Sequence, residues 1–278
     1  MNGRTEMVIY DGTGKTLPIP QNPLPNKISG FQTIWIPYLD ANVIAFLHLF
    51  QHVFSLCEIT LTIEMSNSQY LLNLAQNVWP LIKNNIKGFS MPNNFHQFRH
   101  YFPPMLSDYW PSLQFVYCEN VLPDLPADDS ANASDGQVLS KWMFSAHCCD
   151  VPPKVVQCEC STDQQELITQ QMELFESAFV NASSRAYFIV YIWLNDDDDS
   201  PSDDLINIPT FKLSNNGTGE QMTLKLIREN DKHRLLLIRC PISRDEHKWA
   251  KWEREAIEWI FDDQWNKLTF YEKGEIDF

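Results

Sequence analysis

Five groups of residues in this chain have types and spacings that could do chemistry. Gly12-Thr13-Gly14-Lys15-Thr16 has the ending of a phosphate-binding loop, in which backbone amides and a lysine cradle a nucleotide's phosphates. That chemistry needs a further glycine where Ile9 stands, and a helix behind the loop. Pro18, Pro20, Pro23 and Pro25 forbid the helix, so the stretch reads as a hairpin turn. His147, Cys148, Cys149, Cys158 and Cys160 could supply zinc ligands, but adjacent cysteines and a Cys-x-Cys pair lack the spacing of structural zinc sites. Cys158 and Cys160 share a strand face with Val156, which suits small buried thiols. His48 and His52 stand four apart on a predicted helix with no third ligand marked. The acidic run Asp196 to Asp199 lacks the glycine and distal glutamate that shape a calcium loop. Trp249, Trp252 and Trp259 could form a binding platform, although at helical spacing they read as a core stripe. There is no Gly-x-Ser-x-Gly elbow. The expectation is therefore no catalytic residue, no cofactor and no metal.

The elements that would position any site are clearer. From Cys57 to Asn85 an alternating run, Ile59, Leu61, Ile63 and Met65, leads through Ser66 and Gln69 into apolar residues at helical spacing, Leu71, Leu74, Ala75 and Val78. Ser66 and Gln69 have capping-box spacing, as do Asn94 with Gln97, Ser134 with Gln137, Ser161 with Gln164, and Ser243 with Glu246. Asp40 can cap a helix through Val43, Ile44 and Leu47. Strand centres fall near Thr33, Leu61, Gly88 and Phe115, separated by 28, 27 and 27 residues, with later ones near Gln157 and Val190. A strand-plus-helix unit at this period predicts an α/β leucine-rich-repeat-like solenoid over residues 1–194. Independent units of a doubly wound sheet would give a similar spacing. Residues 195–204, rich in Asp, read as an acidic loop or linker. Residues 205–278 read as an antiparallel β-meander followed by an amphipathic helix, together a C-terminal cap.

With 278 residues, 44% of them hydrophobic, the chain can bury a core. A formal net charge of −15 leaves no large cationic surface, so neither nucleic acid nor an anionic membrane is an expected partner. Seven irregularly spaced cysteines and no apolar run of membrane-spanning length fit an intracellular protein, cytoplasmic or nuclear.

Four stretches carry a resemblance: Leu17 to Pro25, Phe179-Val-Asn-Ala-Ser, Lys212-Leu-Ser-Asn-Asn-Gly-Thr-Gly-Glu, and Leu236 to Trp259 with its Ile-Arg-Cys-Pro-Ile-Ser-Arg-Asp-Glu-His-Lys-Trp run. They are similar to an expanded family of F-box proteins from plant-parasitic nematodes. The resemblance implies the region that follows the F-box and presents protein substrates to a cullin-based ubiquitin ligase, with no catalytic residue of its own. The first 50 residues hold proline-rich coil and one strand-helix unit in place of the three-helix F-box pattern. A cullin-ligase adaptor is thus an expected partner only if an F-box lies upstream. On the strand of the Cys57 unit, Thr60, Thr62 and Glu64 would point from a concave face and are the predicted partner contacts. The competing expectation is a compact α/β enzyme, which a deep pocket with converging titratable groups would mark.

Overall fold

The computed structural model describes residues 5–9, 16–18, 33–54, 58–64, 67–91, 95–102, 110, 112–145, 151–195, 208–229, 232–259 and 267–272. The protein is a mixed α/β chain that divides into two compact units, Met1–Leu113 with Ile260–Phe278, and Gln114–Trp259. The division therefore falls neither at the acidic run nor at residue 205. Residues 196–204 of the predicted linker lie outside the described residues.

The first unit contains β1 (Thr5–Ile9), β2 (Thr16–Pro18), β3 (Thr33–Ile36), α1 (Ala41–Leu49), α2 (Gln51–Phe54), β4 (Ile59–Ile63), α3 (Ser68–Asn73), α4 (Trp79–Ile82), β5 (Ile86–Ser90) and α5 (Phe95–Tyr101). β3, β4 and β5 are parallel neighbours in chain order, pairing Ile34 with Leu61 and Leu61 with Phe89. The Asp40 carboxylate caps α1, accepting from the amides of Asn42 and Val43 at 2.8 Å each. Asn67 caps α3, accepting from Gln69 N at 2.8 Å; the predicted caps Ser66 and Asn94 lie outside the described residues. Between α3 and α4 the backbone widens into a π turn, Leu74–Val78. Pro80 lies two residues beyond it and would clash with the carbonyl four residues back in a regular helix.

The second unit contains β6 (Phe115–Glu119), α6 (Asp135–Phe144), β7 (Lys154–Ser161), α7 (Gln165–Val180), β8 (Phe188–Asn195), β9 (Phe211–Asn215), β10 (Glu220–Glu229), β11 (Lys232–Pro241) and α8 (Glu246–Glu258). Its strand order is β6-β7-β8-β11-β10-β9. β6, β7 and β8 run parallel, again in chain order. The predicted meander is present, but β11 pairs antiparallel with β8 from Leu194/His233 to Phe188/Arg239, so it extends the same sheet and is no separate cap. The last strand among the described residues, β12 (Lys267–Glu272), belongs to the first unit, where it lies between β1 and β3.

Alternation along β8 sends its side chains to two covered faces. Phe188 meets Phe144 of α6 at 5.4 Å and Phe175 of α7 at 6.1 Å between ring centroids. Tyr187, Ile189 and Tyr191 face the other way and cluster with Phe115, Val155, Leu236, Ile238 and with Trp249 and Ala256 of α8. The Trp stripe is thus packed in a core, and Gln157 Nε2 donates to Ala256 O at 2.8 Å beneath it. Asp245, not Ser243, caps α8, accepting from His247 N and Lys248 N at 3.0 and 3.1 Å. The capping box of α6 forms as its spacing predicts: Gln137 N donates to Ser134 Oγ at 3.1 Å and Ser134 N to Gln137 Oε1 at 2.9 Å. Ser161 makes no capping bond; the chain enters α7 through a 3-10 turn, Thr162–Gln164.

The acidic insertion before α6 is ordered against that helix. Asp124 N donates to Gly136 O at 3.0 Å and Asp128 N to Gln137 O at 3.2 Å. A Cβ on Gly136 would lie 2.3 Å from Leu122 O, a backbone atom, so the approach requires glycine. Gly136→Ala is expected to destabilise the protein by about 1–3 kcal/mol, the usual range for overpacking, as read from urea denaturation midpoints; an unchanged midpoint would show that this loop is not held against α6.

Candidate functional site

The three predicted contacts do not form a surface. Thr60 and Thr62 are buried, at 6% and 5% exposure, and only Glu64 is exposed. The reason is that β4 is an interior strand covered on both faces, as parallel strands usually are; every one of its five residues is buried. Thr62 Oγ1 has no hydrogen-bond partner among the described residues. Glu64 follows the last residue of β4, where the cover ends.

The same position in the second unit carries a polar cluster that periodicity alone did not single out. At the carboxyl ends of β6, β7 and β8, on the face shared with α8, stand Tyr117, Glu119, Glu159 and Asn195. Register places Tyr117 beside Gln157 and Glu119 beside Glu159. The Tyr117 hydroxyl donates to Glu159 Oε2 at 2.6 Å and lies 3.4 Å from Glu119 Oε1; Asn195 Nδ2 donates to Glu159 Oε1. Burial first, then the bond to Glu159, pushes the Tyr117 phenol well above its usual range, so it stays a proton donor at neutral pH. Asn120, the residue after β6, has φ of +53°, a left-handed conformation that asparagine tolerates. Its amide donates to Glu159 O at 2.8 Å and fixes the turn beside the cluster. Next along the sheet, Trp193 pairs with Glu159, and the Arg234 guanidinium lies 5.7 Å from the Trp193 ring.

Glu119 and Asn195 are exposed, and Tyr117 and Glu159 half-buried. Such a crest is an array of hydrogen-bond acceptors whose internal donors are already used, and it can take a guanidinium or ammonium group from outside. The only alternation-based hint in the sequence is that Tyr117, Glu119 and Glu159 occupy the strand phase opposite Cys118, Cys158 and Cys160.

Those three cysteines are core residues, each 1% exposed, with the Sγ atoms of Cys118 and Cys158 3.4 Å apart. Burial pushes the Cys160 thiol up to about 12, and that of Cys158 well above its usual value. Among the described residues no group of three or more His, Cys, Asp or Glu is placed to hold a metal ion. His48 and His52 are exposed. Residues 12–15, His147, Cys148, Cys149 and Asp196 to Asp199 lie outside the described residues. Among the described residues no helix is long and apolar enough to cross a membrane.

Three of the four stretches that carry the resemblance, those beginning at Phe179, Lys212 and Leu236, contribute residues to a buried ion pair and its surroundings. Arg239 Nη2 lies 2.7 Å from Glu220 Oε2, and the two side chains are 2% and 0% exposed. Glu220 Oε1 also accepts from Ala186 N at 2.9 Å, and Arg239 donates to Ser184 O at 2.8 Å. The guanidinium lies 5.2 Å from the Phe179 ring and 5.7 Å from that of Phe144. Asn215 completes the join: its Oδ1 accepts from Gly217 and Thr218 amides, while its Nδ2 donates to Phe179 O at 2.9 Å and Ala182 O at 3.0 Å, capping the end of α7. Residues 179–182, 215–220 and Arg239 thus meet to hold the end of α7 on the sheet. No protein-family model matches the chain, and no curated protein matches it.

Removing one member of a buried pair strands the other, so Arg239→Ala or Glu220→Ala should each cost about 3–5 kcal/mol in urea denaturation, with the apolar pair Arg239→Met/Glu220→Leu recovering most of the loss. A loss in the double variant equal to the sum of the two single losses would show that the pair is not coupled. Lys154 provides a pH test. It is buried, donates to Trp142 O at 2.5 Å, to Ser145 O at 3.3 Å and to Ser145 Oγ, and desolvation pushes its ammonium down to about 8 from the usual 10.5. Between those pH values the unfolded chain holds a proton the folded one has released, so this group's contribution to stability rises with pH across that window and is smallest below it. The stability of the wild type relative to Lys154→Met should therefore rise across it, and a flat difference would contradict the assignment.

Proposed function

We propose that this chain is a non-enzymatic protein-binding domain, the substrate-holding region of an F-box-type ubiquitin-ligase receptor, working in the cytoplasm or nucleus. One observation carries the reading: the acceptor-rich crest of Tyr117, Glu119, Glu159 and Asn195 is preorganised by its own hydrogen bonds yet open at the carboxyl ends of the parallel strands. A surface of that kind matches basic side chains of a protein partner better than a small molecule that needs enclosure. Two further points support it. Within each unit the parallel strands follow chain order, β3-β4-β5 and β6-β7-β8, as the strand-plus-helix repeat reading requires, and successive strand ends would then line one binding edge. The sequence motifs resemble those of the F-box family. Glu64, at the end of β4, would add to the contacts within the first unit. A cullin-ligase adaptor is a partner in this reading only where an F-box precedes the chain.

Charge-neutralising Glu119→Gln/Glu159→Gln removes the recognition feature without changing shape. In quantitative affinity capture this variant, with wild-type thermal stability, is expected to retain roughly tenfold less of its salt-sensitive protein partners. An unchanged capture profile would sink the reading of the crest. Co-capture of cullin and adaptor by a version extended upstream, and not by the present chain, is the expected result for the receptor role; their absence from both would remove the ligase from the proposal.

A further inference from the structure

The outward face of α7 takes no part in the core or the crest. The helix is built from two successive heptads, Glu166-Leu167-Ile168 to Met172 and Glu173-Leu174-Phe175 to Phe179. Ile168, Met172, Phe175 and Phe179 are the inward row and are buried. The leucine beside each glutamate is not: Leu167 and Leu174 are 45% and 43% exposed, and Val180 is 62% exposed. A single exposed leucine needs no explanation. Two at the heptad interval form a line along the helix about 10 Å long, the spacing of a helix-docking seam. Next to this line an open depression is lined by Asp163, Gln165, Glu166, Thr169, Gln170 and Glu173. α7 contains no Lys or Arg, so its outer face joins an apolar row to an acidic row with no cation of its own.

We propose that this face docks a basic amphipathic helix of a partner protein. The partner's apolar seam would cover Leu167 and Leu174, and its Lys or Arg residues would meet Asp163, Glu166 and Glu173. Charge selects this occupant. A second copy of the chain brings a formal charge of −15, and its amphipathic helix α8 already spends Trp249 and Ala256 in the core. An apolar helix without cations would bury the carboxylates unpaired. The inference rests on the reading of the chain as a protein-binding domain but uses a different surface. α7 packs on the Phe188 face of the sheet, whereas the crest lies on the face shared with α8.

The probe is a synthetic helical peptide of about three heptads with leucine at the seam and lysine at the flanking positions, compared with its glutamate-flanked counterpart by fluorescence anisotropy against the full chain. The lysine peptide is expected to bind at least about tenfold more tightly than the glutamate peptide. Leu167→Ser/Leu174→Ser should abolish that binding, and Glu166→Lys/Glu173→Lys should reverse the preference. The Glu119→Gln/Glu159→Gln variant should bind the lysine peptide as the wild type does. If it does not, the peptide sits on the crest and the α7 proposal fails while the crest reading stands. Equal binding of the two peptides, no binding, or binding unaffected by the leucine substitutions overturns the proposal. So does self-association, seen in sedimentation, that the leucine substitutions remove. Circular dichroism of each variant confirms that the fold is kept.

Discussion

The second unit depends on placing one guanidinium where water cannot reach it. Arg239 sits on β11 and Glu220 at the start of β10, paired across the meander. A charge in such a place is tolerated only if its neighbours supply acceptors, and three separate segments do so: Glu220, the 184–186 loop and the aromatic rings at the ends of α6 and α7. The requirement is mutual. Without Glu220, Ala186 N loses its acceptor, and the guanidinium of Arg239 loses its counter-charge. The orientation of α7, and hence which of its residues look outward, follows from that arrangement.

How much of this could be read from the sequence depended on distance along the chain. Asp40 at the start of α1 and the Ser134-Gln137 box are legible because a helix cap is a hydrogen bond between residues two or three apart. The meander and the Trp stripe are legible for a similar reason, since their patterns repeat within one element. The 27-residue recurrence also corresponds to strands that neighbour one another in chain order. What failed was inference about the second face of a strand. Alternation shows that Thr60 and Thr62 differ from Leu61, but it does not show what lies on their side, and here they are buried. The crest escaped because Tyr117, Glu159 and Asn195 come from three strands, and the bonds that make them a unit span 42 and 36 residues. Cap spacing also misled where a better acceptor stood nearby: Asp245 takes the place expected for Ser243.

The crest and the thiols behind it illustrate how one strand serves two purposes. Along β7, Val156, Cys158 and Cys160 turn to one face while Gln157 and Glu159 turn to the other, and only position along the strand separates a buried polar residue from a half-buried one. Gln157, beneath α8, gives its amide to Ala256 O. Glu159, two residues on, is past the cover of that helix and holds its bonds where a partner can join them.

The placement of β12 bears on synthesis. This strand fills the position between β1 and β3, yet it is made last. At about 5–20 residues per second, the ribosome needs roughly ten to fifty seconds to travel from β3 to β12. Throughout that interval the nascent first unit has two strand edges with unmet backbone groups. Residues 114–259, by contrast, hold the strands β6 to β11 in one continuous stretch of chain, so these can pair as they emerge. The later-made unit is thus the first able to pair its described strands, while β1 and β3 wait for the strand that joins them.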